Sequence, residues 1–196
     1  RPNYAFAYFN LSSAYQAQNQ LLKAESVLLA ATQTIPQATQ IHYALAILYQ
    51  KTNQLEKAQE QYKLVINTSP VKKEDYDLSQ ISGLEKSTLE YIEMKANSFY
   101  NLGLIYGLKG ELDSAEESFK NALQVKPNWS EAHSNLGKVY ELKSDLPKAL
   151  EHFEAAVNHS PRKAVYHFNL AMIQLKLQQK EKALKSLQQA LTLEPN

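Results

Sequence analysis

Histidine is the residue type in this chain with the widest range of chemistry, because a neutral imidazole can bind a metal ion or carry a proton. Three of the five histidines, His42, His133 and His167, recur in step with an internal repeat, which favours a packing role. His152 and His159 lie about two turns apart on one predicted helix, without the glutamate that belongs to a helical zinc motif. We therefore expect no metal site.

Other groups of residues with catalytic spacing are also missing from the sequence. Cysteine is absent, which excludes thiol catalysis, disulfides and thiolate zinc sites. The chain has five glycines and no glycine-rich phosphate loop. The pair Glu116-Glu117 is typical of a solvated helix face, and Asp75 and Asp77 lack the further ligands of a calcium loop. The sequence predicts a protein that is not an enzyme and that needs no cofactor.

The charge balance narrows the class of partner. Lysine and arginine number 21 and acidic residues 20, so no basic excess points to nucleic acid or to an anionic membrane. Apolar runs such as 44–49 are too short to insert into a bilayer. The chain opens on Arg1-Pro2-Asn3 without a methionine, and we interpret it as part of a longer protein. Its compartment stays unknown, with the cytoplasm slightly favoured.

An internal period of 34 residues positions these side chains. The prolines that mark it are Pro2, Pro36, Pro70, Pro127, Pro161 and Pro195, with spacings of 34, 34, 57, 34 and 34. The sequence predicts one domain of five units, 5–38, 39–72, 96–129, 130–163 and 164–196, with an insertion at 73–95.

Each unit has the pattern of two helices joined by a turn, with apolar residues at helical spacing in both halves. Counted from the first residue of each unit, position 8 is always a small residue and position 20 is always alanine. We therefore expect these two positions to face each other where the helices approach. Bulky residues occupy position 24. The turn signals are Asn19-Gln20, Asn53-Gln54, Gly110-Glu111 and Ser144-Asp145. Asp145 followed by Pro147 predicts a helix N-cap and first turn.

This pattern resembles the tetratricopeptide repeat family. The residues that carry the resemblance are Leu11, Leu45, Leu102, Leu136 and Leu170 at position 7, Tyr15, Tyr49, Tyr106 and Tyr140 at position 11, and Ala24, Ala58, Ala115, Ala149 and Ala183 at position 20. The resemblance implies an all-α fold, a right-handed superhelical α-solenoid of antiparallel helix pairs. The fifth unit departs from the pattern, with Gln174 at position 11 and no glycine, asparagine or aspartate near Gln178-Gln179.

In proteins that resemble this family, the first helices of the repeats line a concave groove. Carried over position by position, the resemblance implies a partner-binding groove that contains Phe6, Phe9, Tyr43, Ile47, Gln50, Tyr100, Leu104, Leu108, Lys138, Phe168, Met172 and Leu175. The family's clamp for a C-terminal carboxylate is missing, because its anchor positions hold Phe9 and Ser13. The predicted groove is unusually apolar, and exposed apolar strips mark interaction sites. The alternative is that neighbouring helices or the insertion cover these residues.

The first hypothesis is therefore a scaffold for protein–protein interaction, which binds a peptide or a helical segment through apolar and aromatic contacts. A second hypothesis is a non-catalytic substrate-recruiting or regulatory arm of a larger enzyme, or of a secretion or pilus assembly. A third is a self-association module.

The insertion at 73–95 is the one break in the period. Leu89 and Ile92 continue a helical stripe backward from the third unit, so we predict that its first helix starts near 84–86. The segment 72–83 would be a loop or one short helix. Either the insertion is a tolerated surface segment, or it lids or lines the binding face.

Overall fold

A computed structural model describes residues 2–68 and 86–194 of the chain, all of them as helices and short connections. The helices are α1 (Pro2–Ala17), α2 (Leu21–Thr34), α3 (Thr39–Lys51), α4 (Leu55–Thr68), α5 (Lys86–Leu108), α6 (Leu112–Val125), α7 (Ser130–Leu142), α8 (Leu146–His159), α9 (Ala164–Lys176) and α10 (Lys180–Leu193). No strand occurs in these two ranges, so the predicted all-α class is confirmed. Within the described ranges, no helix has the length and apolarity that crossing a membrane requires.

The chain divides into two compact units, Arg1–Leu102 and Gly103–Asn196, and the boundary falls within α5. In the first unit, α1 packs against α2, α3 packs against α4, and α3 also contacts both α1 and α2. In the second unit, each helix from α6 to α9 packs against the next helix in the chain. The short connection within each pair reverses the chain, which makes the two helices antiparallel.

The backward extension of the third unit's first helix is confirmed. This helix, α5, is described from Lys86, which lies ten residues before Ala96. Ile92, within the extension, is 5% exposed, and Ala96 is fully buried. The predicted loop or short helix at 72–83 lies outside the described residues.

The alanine at repeat position 20 is fully buried in the core of each helix pair. All five of these alanines are 0% exposed: Ala24, Ala58, Ala115, Ala149 and Ala183. The bulky residue at position 24 is also buried in four units, as Leu28, Tyr62, Phe119 and Phe153. Burying these side chains is the main apolar contribution to each helix pair.

The small residue at position 8 makes room for the ring at position 24. A Cβ added at Gly137 would lie 3.0 Å from the ring of Phe153, and one added at Gly103 would lie 2.7 Å from the ring of Phe119. We expected position 8 to face the alanine at position 20, but the atoms nearest to these two glycines belong to the phenylalanine one helical turn further on. In these two units, the phenylalanine ring therefore leaves little room for a side chain at position 8.

Every first helix ends in a left-handed residue at position 15. The φ angles are +56° at Asn19, +58° at Asn53, +75° at Gly110, +62° at Ser144 and +59° at Gln178. The next N–H donates to the carbonyl at position 11, as from Gln54 to Tyr49 over 2.8 Å and from Gln179 to Gln174 over 2.8 Å. This arrangement is the Schellman helix end, in which glycine or asparagine removes the steric cost of positive φ. The following helix α8 has the predicted N-cap, since the Asp145 carboxylate accepts from the backbone N–H of Lys148.

Histidine at repeat position 4 closes the junction between consecutive repeats. The Nε2 atoms of His42, His133 and His167 lie 2.9, 2.9 and 2.8 Å from the carbonyl oxygens of Pro36, Pro127 and Pro161. A proline carbonyl accepts only, so in each case Nε2 carries the hydrogen and donates. The packing role inferred for these three histidines is confirmed, and the bond across the repeat junction is an addition.

His133 also joins His152 and His159 into one cluster in the second unit. Its Nδ1 lies 3.0 Å from Nδ1 of His152, and its ring stacks at 5.5 Å on that of His159. Because Nε2 of His133 donates to Pro127, its Nδ1 accepts, and Nδ1 of His152 donates. The ring of His152 also stacks on Tyr140 at 5.4 Å. The Nδ1 of His133 can accept this hydrogen bond only while the His133 imidazole is neutral.

Gln178→Gly is expected to stabilise the chain by roughly 0.5–1 kcal/mol, because glycine adopts positive φ without the steric cost that a Cβ carries. The check is the free energy of unfolding from urea titration. The matched control is Gln188→Gly, the same change at an exposed position inside α10, which should destabilise by about 1 kcal/mol. Equal destabilisation by the two changes would contradict the role given to Gln178.

Acidification below about pH 6.5 is expected to destabilise the second unit through His133 and His152. Burial lowers the pKa of both from the ordinary value of 6.5, and the neighbouring imidazoles act in the same direction. The hydrogen bond with the Pro127 carbonyl and the charge of Glu151 oppose this lowering of the pKa at His133, and the charges of Glu151 and Glu116 oppose it at His152. A lowered folded pKa means that this stability is fully present above pH 6.5 and is lost as the pH falls through the folded pKa.

The measurement is the free energy of unfolding at several pH values between 7.5 and 5. His152→Gln should flatten that profile, because the glutamine amide can still donate to His133 and does not titrate. Glu154→Gln, an exposed change on the same helix, is the control and should leave the slope as in the parent chain. His133 still titrates in this variant, so part of the slope should remain. A slope unchanged by His152→Gln would contradict the role given to this pair.

Candidate functional site

The first unit contains an open cleft of about 630 Å³ between α1, the start of α3 and the N-terminal half of α5. Its lining is mostly apolar and comes from four parts of the sequence. The lining residues are Ala5, Phe6, Phe9, Ile35, Gln37, Ala38, Gln40, Tyr43, Ile47, Glu90, Tyr91, Glu93, Met94 and Asn97.

Four residues of the predicted groove line this cleft together: Phe6, Phe9, Tyr43 and Ile47. Phe6 is 68% exposed, Phe9 36% and Ile47 41%, while Tyr43 is half-buried. Removing apolar side-chain surface from water contributes roughly 25 cal/mol of favourable free energy per Å². Three of the four therefore keep apolar surface that a ligand could cover.

One wall of the cleft comes from the inserted segment. Glu90, Tyr91, Glu93 and Met94 lie in the extension of α5 and line the cleft together with residues of α1 and α3. The part of the insertion that the structure describes thus contributes to the lining of the cleft. Residues 69–85 lie outside the described part of the chain.

Tyr43 has the most constrained polar group in the cleft. Burial, followed by the negative charge of Glu93, raises the pKa of its hydroxyl, although a hydrogen bond with the side chain of Asn97 acts in the opposite direction. The hydroxyl therefore remains protonated at neutral pH. The ring meets Tyr62 edge-on, with 6.2 Å between the ring centroids. Tyr43 is thus a fixed part of the cleft floor.

Gln50 and Tyr100 do not reach the cleft, although the sequence placed them in the same groove. The hydroxyl of Tyr62 donates to Oε1 of Gln50 over 2.7 Å, so this amide satisfies a hydroxyl that the core would otherwise leave unpaired. Tyr100 is half-buried on α5. The sequence alone does not predict the Gln50 contact, because it does not show that positions 12 and 24 of a repeat meet.

The other predicted groove residues belong to the second unit. On α9, Phe168, Met172 and Leu175 are 49, 39 and 43% exposed and form one stripe at i, i+4 and i+7. Leu108 is 76% exposed, Lys138 is exposed, and Leu104 is half-buried. The expected apolar exposure is thus present on α9.

Polar contacts tie α7 to α9 beside this stripe. Asn169 donates from Nδ2 to Oγ of Ser134 over 3.1 Å, and Lys176 pairs with Glu141 over 2.7 Å. Ser134 is 4% exposed and so is a packing residue. The asparagine at repeat position 6 therefore has a structural role here.

An ionic cluster in the second unit centres on Glu116. Hydrogen bonds from Lys120 and Lys143, followed by one from Tyr140, lower the pKa of this carboxyl to about 2. Tyr140 donates to Oε1 of Glu116 over 3.0 Å, and Lys143 also pairs with Asp113. Glu116 thus makes hydrogen bonds and ion pairs with three side chains, whereas the sequence predicted a solvated position. Since it is ionised and paired, it is a poor proton donor or acceptor near neutral pH.

In the described ranges, no group of three or more metal-binding side chains is arranged to hold a metal ion. The histidine cluster fits this result, because its rings contact each other through a hydrogen bond and stacking. Within the same ranges, the cleft is thus the feature best suited to bind another molecule.

Sequence comparison identifies the repeats. Three family models described as tetratricopeptide repeat match the chain, one at residues 7–37 and 39–72, one at 96–128 and one at 130–194. These ranges span most of the chain and leave out 73–95, which is the predicted insertion. None of the curated proteins is significantly similar in sequence.

Solved structures show the same fold at low sequence identity. YrrB, described as a TPR protein with an unusual peptide-binding site, is 20% identical with a TM-score of 0.73, and the match covers 98% of this chain and 87% of that one. MamA is 16% identical with a TM-score of 0.77 and 94% coverage of both chains. MamA from Desulfovibrio magneticus RS-1 is 16% identical with a TM-score of 0.75, covering 97% of this chain and 95% of that one.

The repeat pattern, the antiparallel helix pairs and the matches along the sequence agree, and the chain belongs to the tetratricopeptide repeat family.

Proposed function

We propose that this protein is a non-catalytic scaffold that binds a peptide or a helical segment of another protein in the cleft of its first unit. The observation that carries this proposal is the convergence of Phe6, Phe9, Tyr43 and Ile47 on one cavity of about 630 Å³. That volume lies in the range of ligand-binding clefts and suits a few side chains of a peptide.

The chemistry of the lining supports apolar recognition with a few fixed polar groups. Phe6, Phe9 and Ile47 offer exposed apolar surface, while the Tyr43–Asn97 hydrogen bond and the amide of Gln40 supply polar groups at defined places. Aromatic side chains lose little conformational entropy on binding and often dominate interface energetics. A similar fold, YrrB, is described as having a peptide-binding site.

The exposed stripe on α9, formed by Phe168, Met172 and Leu175, is proposed as a further contact surface of the same class. Its spacing matches one face of a helix, and isolated apolar stripes of this kind are costly unless a partner covers them.

Exposed apolar residues on α10 give self-association a specific basis. Leu184 and Leu191 are 57 and 65% exposed and lie two turns apart. Light scattering across a concentration series separates this candidate from the scaffold: a mass that stays near 22.2 kDa supports a monomeric scaffold, and a mass that rises with concentration supports self-association.

Removing two apolar anchors of the cleft is expected to weaken peptide binding at least tenfold. The variant is Phe9→Ser with Ile47→Ser, and each change removes apolar contact worth about 1.5 kcal/mol or more. The probe is a peptide selected from a random 12-residue phage library on the parent chain, and the measurement is its Kd by fluorescence anisotropy.

The matched control is Leu22→Ser with Leu64→Ser, two exposed apolar residues of the first unit that do not line the cleft. The control should keep the parent affinity, and both variants should keep the helical circular dichroism. Equal affinity of the cleft variant and the parent would contradict the proposed site.

A further inference from the structure

The cleft has one acidic wall. Glu90 and Glu93 both line it, both are exposed, and both come from the extension that the insertion adds to α5. The other described lining residues are apolar or neutral, with no lysine, arginine or histidine among them. The wall therefore adds negative charge to an otherwise apolar cleft.

The charge of Glu93 acts inside the cleft, since it contributes to raising the pKa of the Tyr43 hydroxyl, a group on α3 that also lines the cleft. The acidic wall and the apolar floor thus belong to the same binding surface. A ligand that covers Phe9 and Ile47 must place other atoms beside the α5 wall, where a positive charge gains energy and a negative one loses it.

We propose that the partner of this cleft is a peptide segment in which lysine or arginine stands next to apolar or aromatic anchors. The anchors cover Phe6, Phe9 and Ile47, and the basic side chain pairs with Glu90 and Glu93. This inference rests on the proposed function, and it names the ligand chemistry that the α5 extension selects. It also assigns a role to the insertion: the repeat without it would lack this acidic wall.

The charge pairs lie at the rim of an open cleft, where solvent screens them. They select among partners and steer association more than they add affinity. The preference for basic peptides should therefore fall as the salt concentration rises, while the apolar contribution to the affinity remains.

The experiment is a selection of random 12-residue peptides displayed on phage, carried out on the parent chain and on two variants, at about 50 mM and 500 mM NaCl. The acidic-wall variant is Glu90→Gln with Glu93→Gln. The control is Glu56→Gln with Glu60→Gln, which makes the same charge change at two exposed positions of α4 outside the cleft. Sequencing of the selected pools gives the enrichment of each residue type.

Peptides selected on the parent chain at low salt should be enriched in apolar residues and about threefold in lysine and arginine, as expected for exposed ion pairs. The acidic-wall variant should lose the basic enrichment and keep the apolar enrichment. High salt should have the same effect on the parent chain, and the control should behave like the parent.

The outcomes separate the two proposals. Apolar enrichment without basic enrichment on the parent chain overturns the inference and leaves the proposed function standing. Loss of basic enrichment in the Glu56/Glu60 control as well shows a general charge effect and also overturns it. No enrichment of any kind means that the cleft does not bind peptides, and both proposals then fail.

Discussion

The close approach of the two helices in each repeat is the constraint on which the other features of this structure depend. An alanine at position 20 is fully buried in every unit, and a Cβ added at Gly103 or Gly137 would lie 2.7 or 3.0 Å from the ring at position 24. Interiors are packed at nearly crystalline density, so side chains this close allow little variation in size. The helix pair is consequently rigid enough to hold exposed side chains on its other faces.

The turn between the helices follows from the same constraint. Two helices that touch along their length need an abrupt reversal, and the left-handed residue at position 15 provides it in five units. Four of these residues are asparagine, serine or glycine, and Gln178 adopts the same φ without such help. Packing of α9 against α10 therefore overrides the local preference at Gln178.

Polar side chains in this chain divide between those that hold the repeats together and those that face the cleft. His42, His133 and His167 donate to proline carbonyls across the junctions, and Asn169 donates to Ser134 between first helices. These bonds lie at the junctions between repeats one and two, three and four, and four and five. Residues outside these contacts can differ from repeat to repeat. The cleft in the first unit combines apolar residues on α1 and α3 with an acidic pair on α5.

Sequence periodicity by itself determined the family, the all-α class, the helix pairs and the backward extension of α5, because each is set by apolar spacing along one chain. Four residues of the cleft, Phe6, Phe9, Tyr43 and Ile47, were also predictable, since repeat positions map onto known faces of a helix. Only the tertiary structure decided that Gln50 pairs with the Tyr62 hydroxyl, that three histidines meet, and that Glu90 and Glu93 stand beside the apolar residues of α1 and α3. These contacts join residues far apart in the chain, and their partners depend on how helices pack, which no local pattern records.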